Sequence, residues 1–88
     1  MKETRVTPTV QPARLEDIMH KLFRTGHEYE AVSILVDLTD AELAAVREDA
    51  EENLADSILH DETDAASFFG YLRALVESAI WSRRAIVN

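Results

Sequence analysis

The sequence predicts an all-α protein, a small antiparallel helical bundle of about four helices with an extended N-terminal arm. Both prolines, Pro8 and Pro12, fall within the first twelve residues, and the chain holds only two glycines. The remainder is dominated by alanine, leucine, glutamate and arginine, which favour helices. Eighty-eight residues suffice for one core and not for two. We therefore expect an arm over residues 1–12 and a single helical domain over residues 13–88.

The arm is predicted from its β-branched residues and its prolines. Thr7 and Gln11 each precede a proline, and a residue in that position avoids the α region of the backbone. An extended conformation follows. Two interpretations remain open, a frayed tail or an arm that docks on a partner or on a second subunit.

The first helix is expected to run from about Ala13 to Thr25. Pro12 suits the first helical position, and Gly26 suits the left-handed residue that ends a helix. Five apolar residues recur at helical spacing and predict one buried face: Leu15, Ile18, Met19, Leu22 and Phe23.

The next segment, residues 27–38, is ambiguous. Its apolar run from Val32 to Val36 is short and partly β-branched, as in a strand. A strand needs a neighbour, however, and the only other candidate in the chain is the proline-bearing arm. We therefore expect a second helix, apolar nearly all round and hence buried.

The third and fourth helices have clear start signals. Thr39 and Glu42 form a capping box, and the third helix should reach Leu59. Its expected core stripe is Leu43, Val46, Ala50, Leu54 and Ile58. Thr63 or Asp64 should cap the fourth helix, which ends near Ala85. The core stripe of that helix is Phe68, Phe69, Leu72, Leu75, Val76, Ala79 and Ile80.

The charge is concentrated in the middle of the chain. The net charge is −8, and residues 27–64 hold thirteen carboxylates and one cation, Arg47. Five of these carboxylates lie on one side of the third helix, opposite its core stripe: Glu42, Glu48, Asp49, Glu52 and Asp56. Three of them follow one another at i, i+4 spacing, where like charges repel. The row is either a solvated face that serves solubility or a ladder of negative charge that docks on a basic groove.

The fourth helix carries a second surface without charge. Opposite its core stripe lie Gly70, Tyr71, Ala74, Ser78, Trp81 and Ala85. A helix that is apolar over most of its circumference is either the central helix of its bundle or part of an interface. In the second case the protein would dimerise or dock on a partner there, with Trp81 as the expected hot spot.

Several kinds of chemistry are disfavoured. The chain has no cysteine, its serines 33, 57, 67, 78 and 82 fall within predicted helices, and its glycines cannot form a phosphate loop. His20 and His60 lie near carboxylates but do not reproduce a di-iron pattern, so we expect no metal and no cofactor. No basic recognition helix exists, which disfavours direct nucleic-acid binding. No apolar run reaches the ~20 residues of a membrane span, and the first residues lack a secretory signal, so we expect a cytoplasmic protein.

We therefore expect a small non-catalytic protein that binds another protein. In the first interpretation it is a regulator or inhibitor, of the kind that phages and plasmids carry. Its acidic face would then bind a basic surface of the partner that otherwise holds nucleic acid. In the alternative it is a structural or adaptor subunit that dimerises or docks through the far side of the C-terminal helix.

Overall fold

The computed structural model describes residues 10–87 of the protein. Four helices account for most of this range: α1 (Pro12–Phe23), α2 (Glu28–Val36), α3 (Asp40–Leu59) and α4 (Thr63–Val87). No strand occurs within the described range. For these residues the prediction of an all-α fold with four helices is thus confirmed, and α2 is a helix rather than a strand. Residues 1–9 of the predicted arm lie outside the described residues.

The two longest helices, α3 and α4, form an antiparallel hairpin. Near the turn, Leu54 Cδ1 lies 3.9 Å from the position that a Cβ atom on Gly70 would take. At the far end, Arg83 Nη1 lies 2.8 Å from Asp40 Oδ1. Residue numbers therefore rise along one helix as they fall along the other. The shorter α1 and α2 pack onto this pair, and an antiparallel bundle of all four helices remains a prediction.

The turn between α3 and α4 is a Schellman motif. The Glu62 N–H donates to the Ser57 carbonyl at 2.8 Å, and the Asp61 N–H donates to the Ile58 carbonyl at 3.1 Å. These bonds satisfy carbonyls that a helix end leaves free. They require a left-handed residue, and Asp61 supplies it with φ of 61°.

One core connects all four helices. Its largest fully buried side chains are Ile18, Leu22, Leu35, Leu43, Val46, Leu72 and Val76. At the edge of this core, Phe23 of α1 stacks on Phe68 with ring centroids 4.8 Å apart, and Phe69 meets both rings edge-on. Phe23 is nevertheless 52% exposed, so the prediction that it is buried is wrong. The predicted stripe of α4 lies in or against this core.

The prediction that Ile58 belongs to the core stripe of α3 is wrong. Ile58 is 64% exposed, while Ser57 is only 3% exposed. At 100° per residue, residue 57 points within about 20° of Ala50, whereas residue 58 is turned about 80° away. Ser57 therefore shares the buried direction of Ala50, although its side chain is polar.

The prediction that α2 is buried all round is also wrong. Ala31, Leu35 and the following Leu38 are buried, but Val32 is 39% and Val36 62% exposed. Within the described residues, only one side of α2 packs on the other helices, chiefly on α4 and α1. Its apolar composition thus leaves two valines at the surface.

The end of α1 also differs from the prediction. The helix ends at Phe23 rather than Thr25, and Arg24 follows it with right-handed φ and ψ. Gly26 does not adopt a positive φ. Instead, its N–H donates to Glu30 Oε1 at 2.8 Å. Gly26 therefore belongs to the start of α2 and does not cap α1.

Candidate protein-binding surfaces

The outer face of α4 is exposed and uncharged. Tyr71 is 44% and Trp81 69% exposed, and three small residues continue the same face: Ala74, Ser78 and Ala85, all exposed. Gly70 does not belong to this face, since it is partly buried and points towards Leu54 of α3. Five of the six residues predicted here therefore form one surface strip. Within the described fold, α4 is thus not a central helix enclosed on all sides.

A groove between α2 and α4 extends this strip. It has a volume of about 330 Å³, and most of its walls are apolar: Val32, Leu35, Val36, Leu75 and Ala79. Glu28, Ser82 and Arg83 line the rest of it. Ser78 belongs to the groove and to the outer face of α4 alike. We call the groove and the outer face together the α2–α4 surface. Sequence reasoning missed the contribution of α2 because it expected that helix to be buried.

Arg83 holds α2 in place beside α4. Its Nη1 atom donates to Asp40 Oδ1 at 2.8 Å, at the start of α3. Its Nη2 atom donates to the carbonyls of Val36 and Leu38 at the end of α2. A helix end leaves such carbonyls without partners, and a guanidinium is their strongest side-chain donor. One side chain thus links three helices beside the groove, which it also lines.

The structure divides the five predicted carboxylates of α3. Glu42 is engaged in the fold: Oε1 accepts from the Thr39 N–H at 2.9 Å, which completes the capping box. Its Oε2 accepts from Arg14 Nε of α1, also at 2.9 Å. The hydrogen bond from Arg14, then that from Thr39, lowers the pKa of Glu42. Glu42 therefore anchors α1 on α3.

Asp49 is less exposed than the other carboxylates of the predicted row that remain free of the fold. Its side chain is partly buried, and it accepts a hydrogen bond from Asn53 Nδ2 at 3.2 Å. Desolvation by burial raises the pKa of its carboxyl group. Asp49 is thus poorly placed to meet a partner.

The remaining carboxylates form a shorter acidic row. Glu48, Glu52 and Asp56 are all exposed. Asp56 Oδ1 lies 3.4 Å from His60 Nδ1, and the pKa of His60 is raised first by its hydrogen bond to the Asp56 carbonyl and then by the Asp56 charge. The acidic row therefore has two freely exposed carboxylates and a third beside a histidine.

Two further properties of residues 10–87 bear on function. No three His, Asp or Glu side chains of this range come together as metal ligands would. None of the described helices combines the length and the apolar character needed to cross a membrane.

Comparison with known proteins gives no assignment. No protein-family model matches the chain, and no curated protein or solved structure shows significant similarity to it.

Proposed function

We propose that this chain is a cytoplasmic, non-catalytic structural or adaptor subunit that docks through its α2–α4 surface. The observation that supports this most directly is the exposure of Trp81, at 69%, on a face without charge. Contiguous exposed apolar patches are uncommon on monomeric proteins and mark interaction sites. Tryptophan and tyrosine are also enriched among the residues that dominate binding energy.

The shape of the surface suits a helical partner. Between Tyr71 and Trp81, the small side chains of Ala74 and Ser78 leave the α4 backbone accessible. A second helix could approach closely there, while Trp81 would pack beside it. Val36, 62% exposed, lines the adjoining groove. The simplest occupant is α4 of a second copy, in a two-fold dimer.

The test introduces a charged side chain on the outer face of α4. Ala74→Glu should dissociate the dimer, as measured by light scattering at high micromolar concentration. Because Ala74 is exposed, the helical circular dichroism should not change. Ala55→Glu is the matched control, since Ala55 is exposed on α3 and outside the surface. A monomeric wild type would reject the homodimer, and a dimer unaffected by Ala74→Glu would reject this surface.

A second candidate function rests on the acidic row. The exposure of Glu48, Glu52 and Asp56 along α3 supports a regulator or inhibitor that occupies a basic surface of a partner. Such a surface would otherwise hold nucleic acid, and the carboxylates would stand in for phosphates. Attraction of this kind acts at a distance and weakens with salt.

A double variant separates this candidate from the first. Glu48→Gln with Glu52→Gln removes two exposed charges and leaves the Asp56–His60 pair intact. Capture of a basic protein from native lysate should then fail at low salt, where the wild type succeeds. Glu62→Gln with Asp64→Asn is the control, with two exposed carboxylates outside the row. Capture that survives both high salt and the double variant would contradict the acidic-row function.

A further inference from the structure

A second cleft adjoins the α2–α4 groove and shares Arg83 with it. It has a volume of about 450 Å³ and separates the start of α3 from the end of α4. Six residues line it: Asp40, Ala44, Arg47, Ile80, Arg83 and Arg84. Three of the six are arginines, in a chain with seventeen acidic and nine basic residues. Positive charge is therefore concentrated where the composition gives no reason to expect it.

The three arginines are not equivalent. Arg83 is occupied by Asp40 and by the carbonyls at the end of α2. Within residues 10–87, neither Arg47 nor Arg84 has a carboxylate within 4.0 Å. Asp40, the acidic residue of the cleft, is already paired with Arg83. Two guanidinium groups of the cleft thus carry charge that no described side chain neutralises.

Among the described residues, Arg47 lacks a counter-charge although it lies in the most acidic part of the chain. Arg47 is partly buried and is the only cation among residues 27–64, which hold thirteen carboxylates. Arg73, on the same hairpin, does find carboxylates, with Glu51 at 3.5 Å and Glu77 at 3.7 Å. A guanidinium without a counter-charge gains from a bound anion, because its fork of N–H donors fits carboxylates and phosphates.

We propose that this cleft binds a small organic anion, with its carboxylate or phosphate group on Arg47 and Arg84. Ala44 and Ile80 provide apolar walls for the rest of the ligand. The volume lies within the range of about 300–1,000 Å³ typical of small-molecule sites. A long polyanion would be repelled by the net charge of −8, whereas a small anion meets mainly the local arginines.

The experiment is an NMR titration of the full chain with four probes: acetate, benzoate, inorganic phosphate and phenyl phosphate. Saturable shifts should appear at residues lining the cleft. Benzoate should bind more tightly than acetate, and phenyl phosphate more tightly than inorganic phosphate, because the ring contacts Ala44 and Ile80. If benzoate binds more tightly than phenyl phosphate, the ligand is a carboxylate. If phenyl phosphate binds more tightly, the ligand is a phosphate ester.

Variants test the residues. Arg84→Gln should weaken binding about tenfold, as expected for one lost charge-assisted contact, and Arg47→Gln should do the same. Arg84 is exposed, so its variant should fold even if Arg47→Gln does not. Arg24→Gln is the control, because Arg24 is exposed and lines a different groove. Absence of saturable shifts with every probe, or equal weakening by Arg24→Gln, would overturn the proposal.

Discussion

At the residue scale, Asp61 has the most unusual backbone. It is the one non-glycine residue with positive φ in the described range. An L-residue in this conformation is destabilised by roughly 1–2 kcal/mol, which glycine avoids. We expect Asp61→Gly to raise the free energy of unfolding by about 1 kcal/mol, measured by urea denaturation.

The neighbouring residue provides the control for this prediction. Glu62 follows the left-handed position, and its backbone φ is not positive. Glu62→Gly should therefore give no gain in stability and a small loss from the greater entropy of the unfolded chain. Equal gains in stability from Asp61→Gly and Glu62→Gly would show that the left-handed backbone of Asp61 is not the cause.

Asp49 gives a pH-dependent prediction. Burial raises its pKa above the ordinary value of 3.8, so the ionised carboxylate costs free energy in the folded state. This cost is present above the folded pKa and disappears as the pH falls through it, when the carboxyl group takes up a proton. Asp49→Asn should thus be more stable than wild type at pH 7, by about a few tenths of a kcal/mol because the group is only partly buried.

The difference between Asp49→Asn and wild type should shrink as the pH falls through the folded pKa of Asp49. Urea denaturation at a series of pH values from 7 down to 3.5 measures it. Glu16→Gln is the control, with an exposed carboxylate, and should track the wild type throughout. An Asp49→Asn variant less stable than wild type at neutral pH would contradict the prediction.

At the scale of elements, Arg83 joins α2 to the α3–α4 hairpin. Its guanidinium donates to Asp40 and to three carbonyls at the end of α2, those of Leu35, Val36 and Leu38. Hydrogen bonds to a charged group contribute about 1.5–3 kcal/mol each in favourable cases, and this side chain is about one-third exposed. We expect Arg83→Met to destabilise the fold by about 2 kcal/mol.

The loss of stability in Arg83→Met should affect α2 more than the other helices. Hydrogen exchange should accelerate first at the amides of α2, because α2 has few other contacts with the hairpin. Arg84→Met is the control: the next residue carries the same charge, is exposed, and should leave stability unchanged. Uniform acceleration over all four helices would mean that Arg83 supports the whole fold and not α2 in particular.

At the scale of the whole molecule, Trp81 reports on the α2–α4 surface. It is the only tryptophan of the chain and is 69% exposed. In the free monomer its fluorescence should resemble that of tryptophan in water and should be quenched readily by acrylamide. Occupation of the surface should shift the emission to shorter wavelength and reduce quenching. A blue-shifted emission in dilute, monomeric protein would contradict the exposed position of Trp81.

The sequence alone determined where α1 and α3 begin, because the signals for these starts are local. The capping box of Thr39 and Glu42 is present with both of its hydrogen bonds, and Pro12 begins α1. Caps and prolines act on the few residues beside them, so they are readable without knowledge of the fold. The uncharged outer face of α4 was readable for the same reason, since helical periodicity alone places its residues together.

The tertiary structure decided which surfaces stay open. Val36 and Ile58 were expected in the core and are more than 60% exposed, because burial depends on where neighbouring helices lie. Glu42 belongs to the predicted acidic face, but Arg14, 28 residues earlier in the chain, pairs with it. The cleft with Arg47 and Arg84 likewise exists only because two helices meet. Periodicity fixes the direction of a side chain from its own helix axis, but only packing between helices determines what lies in that direction.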